Sequence, residues 1–368
     1  MDRQRSTSST DLQSQLNNIL NNNNSLGNTK NYNESQGLNA YLIDLAMQAL
    51  HEDDLSVFWN ILGYCTDKNA PNANREYLVH KIASLGSTDF LDGLVEKNVD
   101  LDVKDRFGYT AIMMATINSH LATLKKLVTT GANVNLKTID GNTVLHLASF
   151  WDKPVGLDFL LKSTTLDINQ RNYLGNTPLI LATRAGNVTI IKLLTADTRL
   201  KINLQGEDKR TAVHEASLQK SSKILAILAE YGAYFDVKDV DDEMSIQTCI
   251  RVHNLWGVKY IIQNNLTKVL YDSNEAKKLI NLSMDTQNWK IMQALRIAGC
   301  NISIPSSNCQ SQKAQWEPSK IRSLKDISRV AVRKTMVGNR FTENLKYLDI
   351  PKELENYLKY DDLNTLIM

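Results

Sequence analysis

Between residues 105 and 238 the apolar positions fall in short runs of helical spacing, two runs to a unit, separated by polar turns that carry glycine. The units align on a Gly-x-Thr step: Gly108-Tyr109-Thr110, Gly141-Asn142-Thr143 and Gly175-Asn176-Thr177, spaced by 33 and 34 residues, with Thr211 and Ser245 each 34 beyond the threonine before. A first helix ending in alanine follows each threonine, over 111–115, 144–148, 178–182 and 212–216. A second helix carries the stripe seen in Ile190-Ile191-Lys192-Leu193-Leu194 and Ile224-Leu225-Ala226-Ile227-Leu228. Threonine is placed to cap the first helix, and Pro178 at its first turn gives up an N–H that has no helical partner there. Gly131 and Gly232 are placed to end the second helix in the left-handed conformation. One such unit cannot bury its own apolar face, so the pattern requires a stack.

The period continues with fewer marks at both ends. Tyr77 to Ala83 followed by Phe90 to Val95 keeps the spacing without the threonine and glycine. Leu38 to Tyr64 upstream, and Ser245 to Leu266 and Ala276 to Ile302 downstream, read as further helix pairs. The expected total is about seven to eight units over 38–302, the clearest at 105–238 and the terminal ones atypical. Residues 1–37 hold nine asparagines and six serines with few large apolar side chains, a composition that predicts a disordered leader. Residues 303–318, polar and containing Pro305 and Pro318, predict a linker. From 319 to 360 the period changes, and 361–368 reads as a tail. Ser319 to Arg333 sets Ile321, Leu324, Ile327, Ser328, Ala331 and Val332 at three- and four-residue steps among lysines and arginines, which predicts an amphipathic helix. Leu324, Ser328 and Val332 form one narrow ridge suited to a partner's groove, and a second helix is expected from Pro351 to Tyr360.

With 42 basic and 40 acidic side chains the formal charge is +2, too small for a general attraction to nucleic acid or to an anionic membrane. The apolar stretch from Ala111 to Leu124 is too short to span a bilayer and contains Thr, Asn, Ser and His. The amino terminus runs Met1-Asp2-Arg3-Gln4-Arg5 into polar residues without the apolar core of a secretory signal, so the expected location is the cytoplasm or nucleus. Cys65, Cys249, Cys300 and Cys309 form no C-x-x-C pair and read as reduced thiols. His51, His80, His120 and His253 share no metal-ligand spacing, and no phosphate-binding glycine loop is present, so neither a metal, a cofactor nor a catalytic residue is expected. His146 and His214 occupy one T-x-x-H position and read as structural. The basic residues Lys320, Arg322, Lys325, Arg329, Arg333 and Lys334 read as the solvent face of their helix rather than a surface for nucleic acid or lipid. Phe150 and Trp151 end a first helix where polar residues are usual, and either anchor a target or cover Pro154.

The units closely resemble the ankyrin repeat, roughly D-x-x-G-x-T-P-L-H-x-A followed by V-x-x-L-L and G-A-x-x-N, and the resemblance implies an all-α solenoid. Ser323 to Arg333 looks like the elongin-binding half of a SOCS box: Leu324 and Val332 match, and Ser328 stands where cysteine is usual. Leu348-Asp349-Ile350-Pro351 with Leu354, Tyr357 and Leu358 resembles the cullin-selecting half, L-P-Φ-P-x-x-L-x-x-Y-L, with Asp349 in place of the first proline. The whole chain is similar to the ankyrin repeat and SOCS box proteins, with repeats over 38–302 and a small helical box over 319–360. That resemblance implies substrate reception for a cullin–RING ubiquitin ligase. Leu324, Ile327, Ser328, Ala331 and Val332 would meet elongin C of the elongin B–elongin C pair. Leu348, Ile350, Pro351, Leu354, Tyr357 and Leu358 would meet a cullin, commonly cullin five with its RING protein, and Asp349 is the departure that bears on this choice. A protein target, unnamed by the sequence, would sit on the repeats, and catalysis would belong to other subunits. The competing reading is a non-ligase ankyrin scaffold whose last helices only cap the stack.

Overall fold

The computed structural model describes residues 11–18, 32–72, 74–163, 166–219, 222–298 and 300, and among these every regular element is helical. Two compact units divide the chain after Tyr173. The first holds α1 (residues 11–18), α2 (Tyr32–His51), α3 (Leu55–Gly63), α4 (Leu78–Leu85), α5 (Thr88–Glu96), α6 (Ala111–Ile117), α7 (Leu121–Thr129), α8 (Val144–Phe150) and α9 (Pro154–Ser163). The second holds α10 (Pro178–Ala185), α11 (Val188–Thr195), α12 (Ala212–Leu218), α13 (Lys223–Glu230), α14 (Ser245–Arg251), α15 (Leu255–Gln263), α16 (Ser273–Asp285) and α17 (Trp289–Ile297). From α2 onward the helices pack as consecutive pairs, eight among the described residues, at the upper end of the expected count.

Within each unit the pairs stack in two rows. In the first, α4, α6 and α8 pack in succession on one side and α5, α7 and α9 on the other. In the second, α10, α12, α14 and α16 form one row and α11, α13, α15 and α17 the other. The stripes anticipated from sequence supply the contact: Ile190, Ile191 and Leu194 of α11 are buried, as are Ile224, Leu225, Ile227 and Leu228 of α13. Each such side chain contributes about 1.5–3 kcal/mol of apolar burial.

A tight polar hairpin precedes most pairs, closed each time by an N–H bond to the carbonyl four residues on. The pairs are Asn72 to Glu76 (2.8 Å), Asp105 to Tyr109 (3.0 Å), Thr138 to Asn142 (3.0 Å), Gly206 to Arg210 (2.8 Å) and Asp239 to Glu243 (2.9 Å). Neighbouring tips are stitched together: in the first unit the Ile139 N–H donates to the Phe107 carbonyl and the Tyr173 N–H to that of Asp140, both at 3.0 Å. Gly131 and Gly232 follow α7 and α13 with φ of 92° and 83°, the left-handed backbone their place in the turn requires.

Two expectations are corrected. The leader expected to be disordered over 1–37 contains a helix at 11–18 with Leu12 and Leu16 fully buried, and α2 begins at Tyr32 rather than at Leu38. The composition of the leader averages away this one i, i+4 leucine pair; α1 meets α3, where the Asn60 Nδ2 donates to the Gln13 Oε1 at 3.1 Å. The second concerns register: Ser245 is the first residue of α14, and the cap position is Met244, one residue earlier than the aligned serine. The Gln247 Oε1 accepts the Met244 N–H at 2.7 Å, while the Ser245 hydroxyl donates to the Phe235 carbonyl at 2.9 Å.

Candidate partner-binding surface

The histidines of the repeated threonine motif are structural. The Thr143 N–H donates to the His146 Nδ1 at 3.2 Å, and the Thr211 N–H to the His214 Nδ1 at 3.1 Å, each completing a reciprocal cap. Because its Nδ1 accepts, His214 carries its proton on Nε2, which donates to the Glu243 carbonyl of the next hairpin at 3.2 Å. His80 makes the same bond to the Tyr109 carbonyl at 2.9 Å. Burial lowers the pKa of both His80 and His214. Cys65 and Cys249 are buried, and desolvation pushes their thiols up to about 11 and about 12, away from the thiolate form. Among the described residues no cluster of His, Cys, Asp or Glu is arranged to hold a metal ion. No helix among them is long and apolar enough to cross a membrane.

In the second unit the buried Glu215 of α12 is held by the Arg184 Nε at 3.2 Å and the Arg210 guanidinium at 3.8 Å, and Arg184 also reaches Glu207 at 3.2 Å. This network satisfies a buried carboxylate and joins neighbouring repeats.

The turn between α8 and α9 is different in kind. Phe150 and Trp151 are 46% and 52% exposed, where a polar pair would have left nothing apolar on the surface. Their rings meet edge to face at 5.4 Å, which fixes one against the other in solvent. Asp152 takes a left-handed backbone, φ 52°, and the Lys153 N–H returns to the Ala148 carbonyl at 2.9 Å, so the turn is tight. Val155, one residue into α9 after Pro154, is 61% exposed. Beside this turn lies a cavity of about 130 Å³ lined by Ala115, Thr116, Ser119, Leu121, Leu124, Lys153, Pro154, Val155 and Gly156. The sequence reading reached Phe150 and Trp151 but missed the cavity. Its signal was Gly156, a glycine where the neighbouring units carry Thr123 and Ile190.

A second apolar row runs along the hairpin tips of the first unit, where Phe107, Ile139 and Tyr173 stand exposed. Of the other anticipated site residues, Leu324, Ile327, Ser328, Ala331, Val332, Leu348, Ile350, Pro351, Leu354, Tyr357 and Leu358 all lie outside the described residues.

Comparison with known proteins follows this division of the chain. Overlapping windows at 46–138, 79–172, 120–205 and 145–241 match the family described as ankyrin repeats in three copies, and 320–359 matches the SOCS box. Neurogenic locus notch homolog protein 1 of Xenopus laevis is 28% identical over 142 residues, 39% of this chain and 6% of that protein. The Mus musculus protein of the same name is 28% identical over 139 residues, 38% of this chain. The chain thus spans 6% of the length of these curated relatives. Among solved structures, the ankyrin repeat domain of Bcl-3 aligns with a TM-score of 0.47 and 22% identity, over 50% of this chain and 84% of that one. The ankyrin repeat protein EF0377 aligns with a TM-score of 0.46 and 24% identity, over 49% and 93%.

Proposed function

This chain belongs to the ankyrin repeat and SOCS box proteins, and from that membership we propose that it is the target-receiving adaptor of a cullin–RING ubiquitin ligase. The observation that carries the reading is the order of two modules in one chain, ankyrin repeats over 46–241 followed by a SOCS box at 320–359. A stack of repeats offers side chains for holding another protein, and a SOCS box in general binds elongin B and elongin C together with a cullin. In this reading Leu324, Ile327, Ser328, Ala331 and Val332 enter elongin C, and Leu348, Ile350, Pro351, Leu354, Tyr357 and Leu358 face the cullin, cullin five being the first choice to test. Phe150 and Trp151 are the side chains offered to the target, and their exposure supports that role. Thioester chemistry then belongs to the other subunits. The adaptor acts by raising the effective concentration of a target lysine beside the charged enzyme.

The test is co-purification of the full chain with the elongin B–elongin C pair. Wild type is expected to form a stoichiometric complex, and Leu324→Asp to lose it, since a carboxylate forced into an apolar groove finds no partner. Absence of a complex at micromolar concentrations would leave the scaffold reading.

A further inference from the structure

The cavity beside the α8–α9 turn has an origin in the repeat register. Position 156 follows Thr123 by 33 residues and precedes Ile190 and Ile224 by 34 and 68. Thr123, Ile190 and Ile224 are all buried, each filling the space behind its own second helix. Gly156 puts no side chain there. A Cβ at this position would come within 3.3 Å of the Thr116 Cγ2 and 3.6 Å of the Leu124 Cδ2, and the backbone is not in the left-handed region, so nothing in the chain path demands glycine. Glycine inside a helix weakens it relative to alanine. What the glycine leaves is an open socket walled by Ala115, Leu121, Leu124, Pro154 and Val155.

From this geometry we infer that the Gly156 socket receives one aliphatic side chain of the bound target, from a segment that places a carboxylate beside that side chain. The apolar walls and a volume of about 130 Å³ suit a leucine-sized group. The charge is set by Lys153, which lines the opening. Its Nζ donates to the neutral Ser119 Oγ at 3.2 Å, and among the described residues it has no carboxylate within ion-pair distance. Phe150 and Trp151, three and two residues earlier in the chain, extend the apolar surface at the same turn. The inference rests on the reading of the repeats as the target-holding part, and its test needs neither elongin nor cullin, so failure here is distinct from failure of elongin capture.

The full chain is titrated into fluorescein-labelled peptides with a central Glu-Leu-Glu in a Gly-Ser background, and into matched peptides with Glu-Ser-Glu or Lys-Leu-Lys. The leucine peptide is expected to bind at least about tenfold more tightly than either control, a burial of this size being worth at least that factor. Gly156→Val puts into the socket the kind of side chain its sister repeats hold, and is expected to abolish the preference. Should valine prove too large to fold, Gly156→Ala, whose one methyl group asks the Thr116 Cγ2 at 3.3 Å to give by only a few tenths of an ångström, serves the same purpose. Lys153→Glu is expected to reverse the preference for acidic flanks. Equal binding of the three peptides, no binding at millimolar concentration, or a preference unchanged in Gly156→Ala would overturn the inference. So would concentration-dependent self-association removed by the Gly156 variants, which would make a second copy the occupant.

Discussion

At the scale of single residues, the repeated cap shows how much one missing partner costs. Thr143 with His146 and Thr211 with His214 form complete boxes. Tyr77 with His80 lacks the hydroxyl on Cβ that threonine supplies, and Thr110 with Met113 lacks the imidazole. In each the leftover atom, His80 Nδ1 or Thr110 Oγ1, is buried without a partner. The complete boxes were legible in the sequence because both residues stand at fixed spacing; Gln247 doing the work of histidine at Met244 was not, because Ser245 next door has the better capping chemistry on paper. The histidines also make stability depend on pH. Burial, against the pull of carbonyl hydrogen bonds, depresses the pKa of His80 and His214, so the folded chain keeps them neutral. Below the ordinary imidazole value of about 6.5 the unfolded chain therefore binds more protons than the folded one. The stabilisation is complete above that value and is lost as pH falls through the depressed folded values. Thermal melts from about pH 7.5 to about pH 5 are expected to show a falling midpoint. In His214→Gln the slope should be shallower, since glutamine can hold the cap N–H as Gln247 does but does not titrate.

At the scale of the helix pair, close approach is bought by glycine in a place where helix propensity argues against it. Gly93 lies inside α5, and a Cβ there would fall within the Trp59 ring of α3. Trp59 in turn meets Phe58 edge to face at 4.7 Å, Phe58 meets Phe90 of α5 at 4.9 Å, and the Lys97 ammonium lies 5.4 Å from the indole centre. Replacing an interior glycine by alanine normally gains about 1 kcal/mol of helix stability. Here overpacking costs about 1–3 kcal/mol, so Gly93→Ala is expected to lower the urea midpoint, and to become neutral or stabilising in a Trp59→Ala background. Gly93 and Gly156 share a helical setting and differ in how closely they are approached: a Cβ at Gly93 would fall 2.0 Å from a Trp59 ring carbon, one at Gly156 3.3 Å from the Thr116 Cγ2. That difference is tertiary, and no periodicity of the chain displays it. The same holds for α1, whose Leu12 and Leu16 become a core only because other elements cover them.

At the scale of the whole molecule, the repeat architecture was legible because each unit restates the same local rules, so that independent marks agree on one period. The SOCS box was legible by another route, from two short motifs in fixed order after the repeats. The two modules carry separable duties if the adaptor reading holds, and linked ones if the last segment merely caps the stack. In a repeat array each unit contacts only its neighbours, so removal of a segment that is not part of the stack leaves the remaining interfaces intact. A chain ending at Ile302 is therefore expected to keep its helical circular dichroism and to melt within about 2–4 °C of the full chain, a shift equivalent to roughly 1 kcal/mol for a domain of this size. It should also bind the leucine peptide as the full chain does while capturing no elongin. A melting temperature lowered by more than about 10 °C, with binding lost in parallel, would mean that the segment after 302 completes the repeat core, since exposing a terminal unit's apolar face removes several kcal/mol at once.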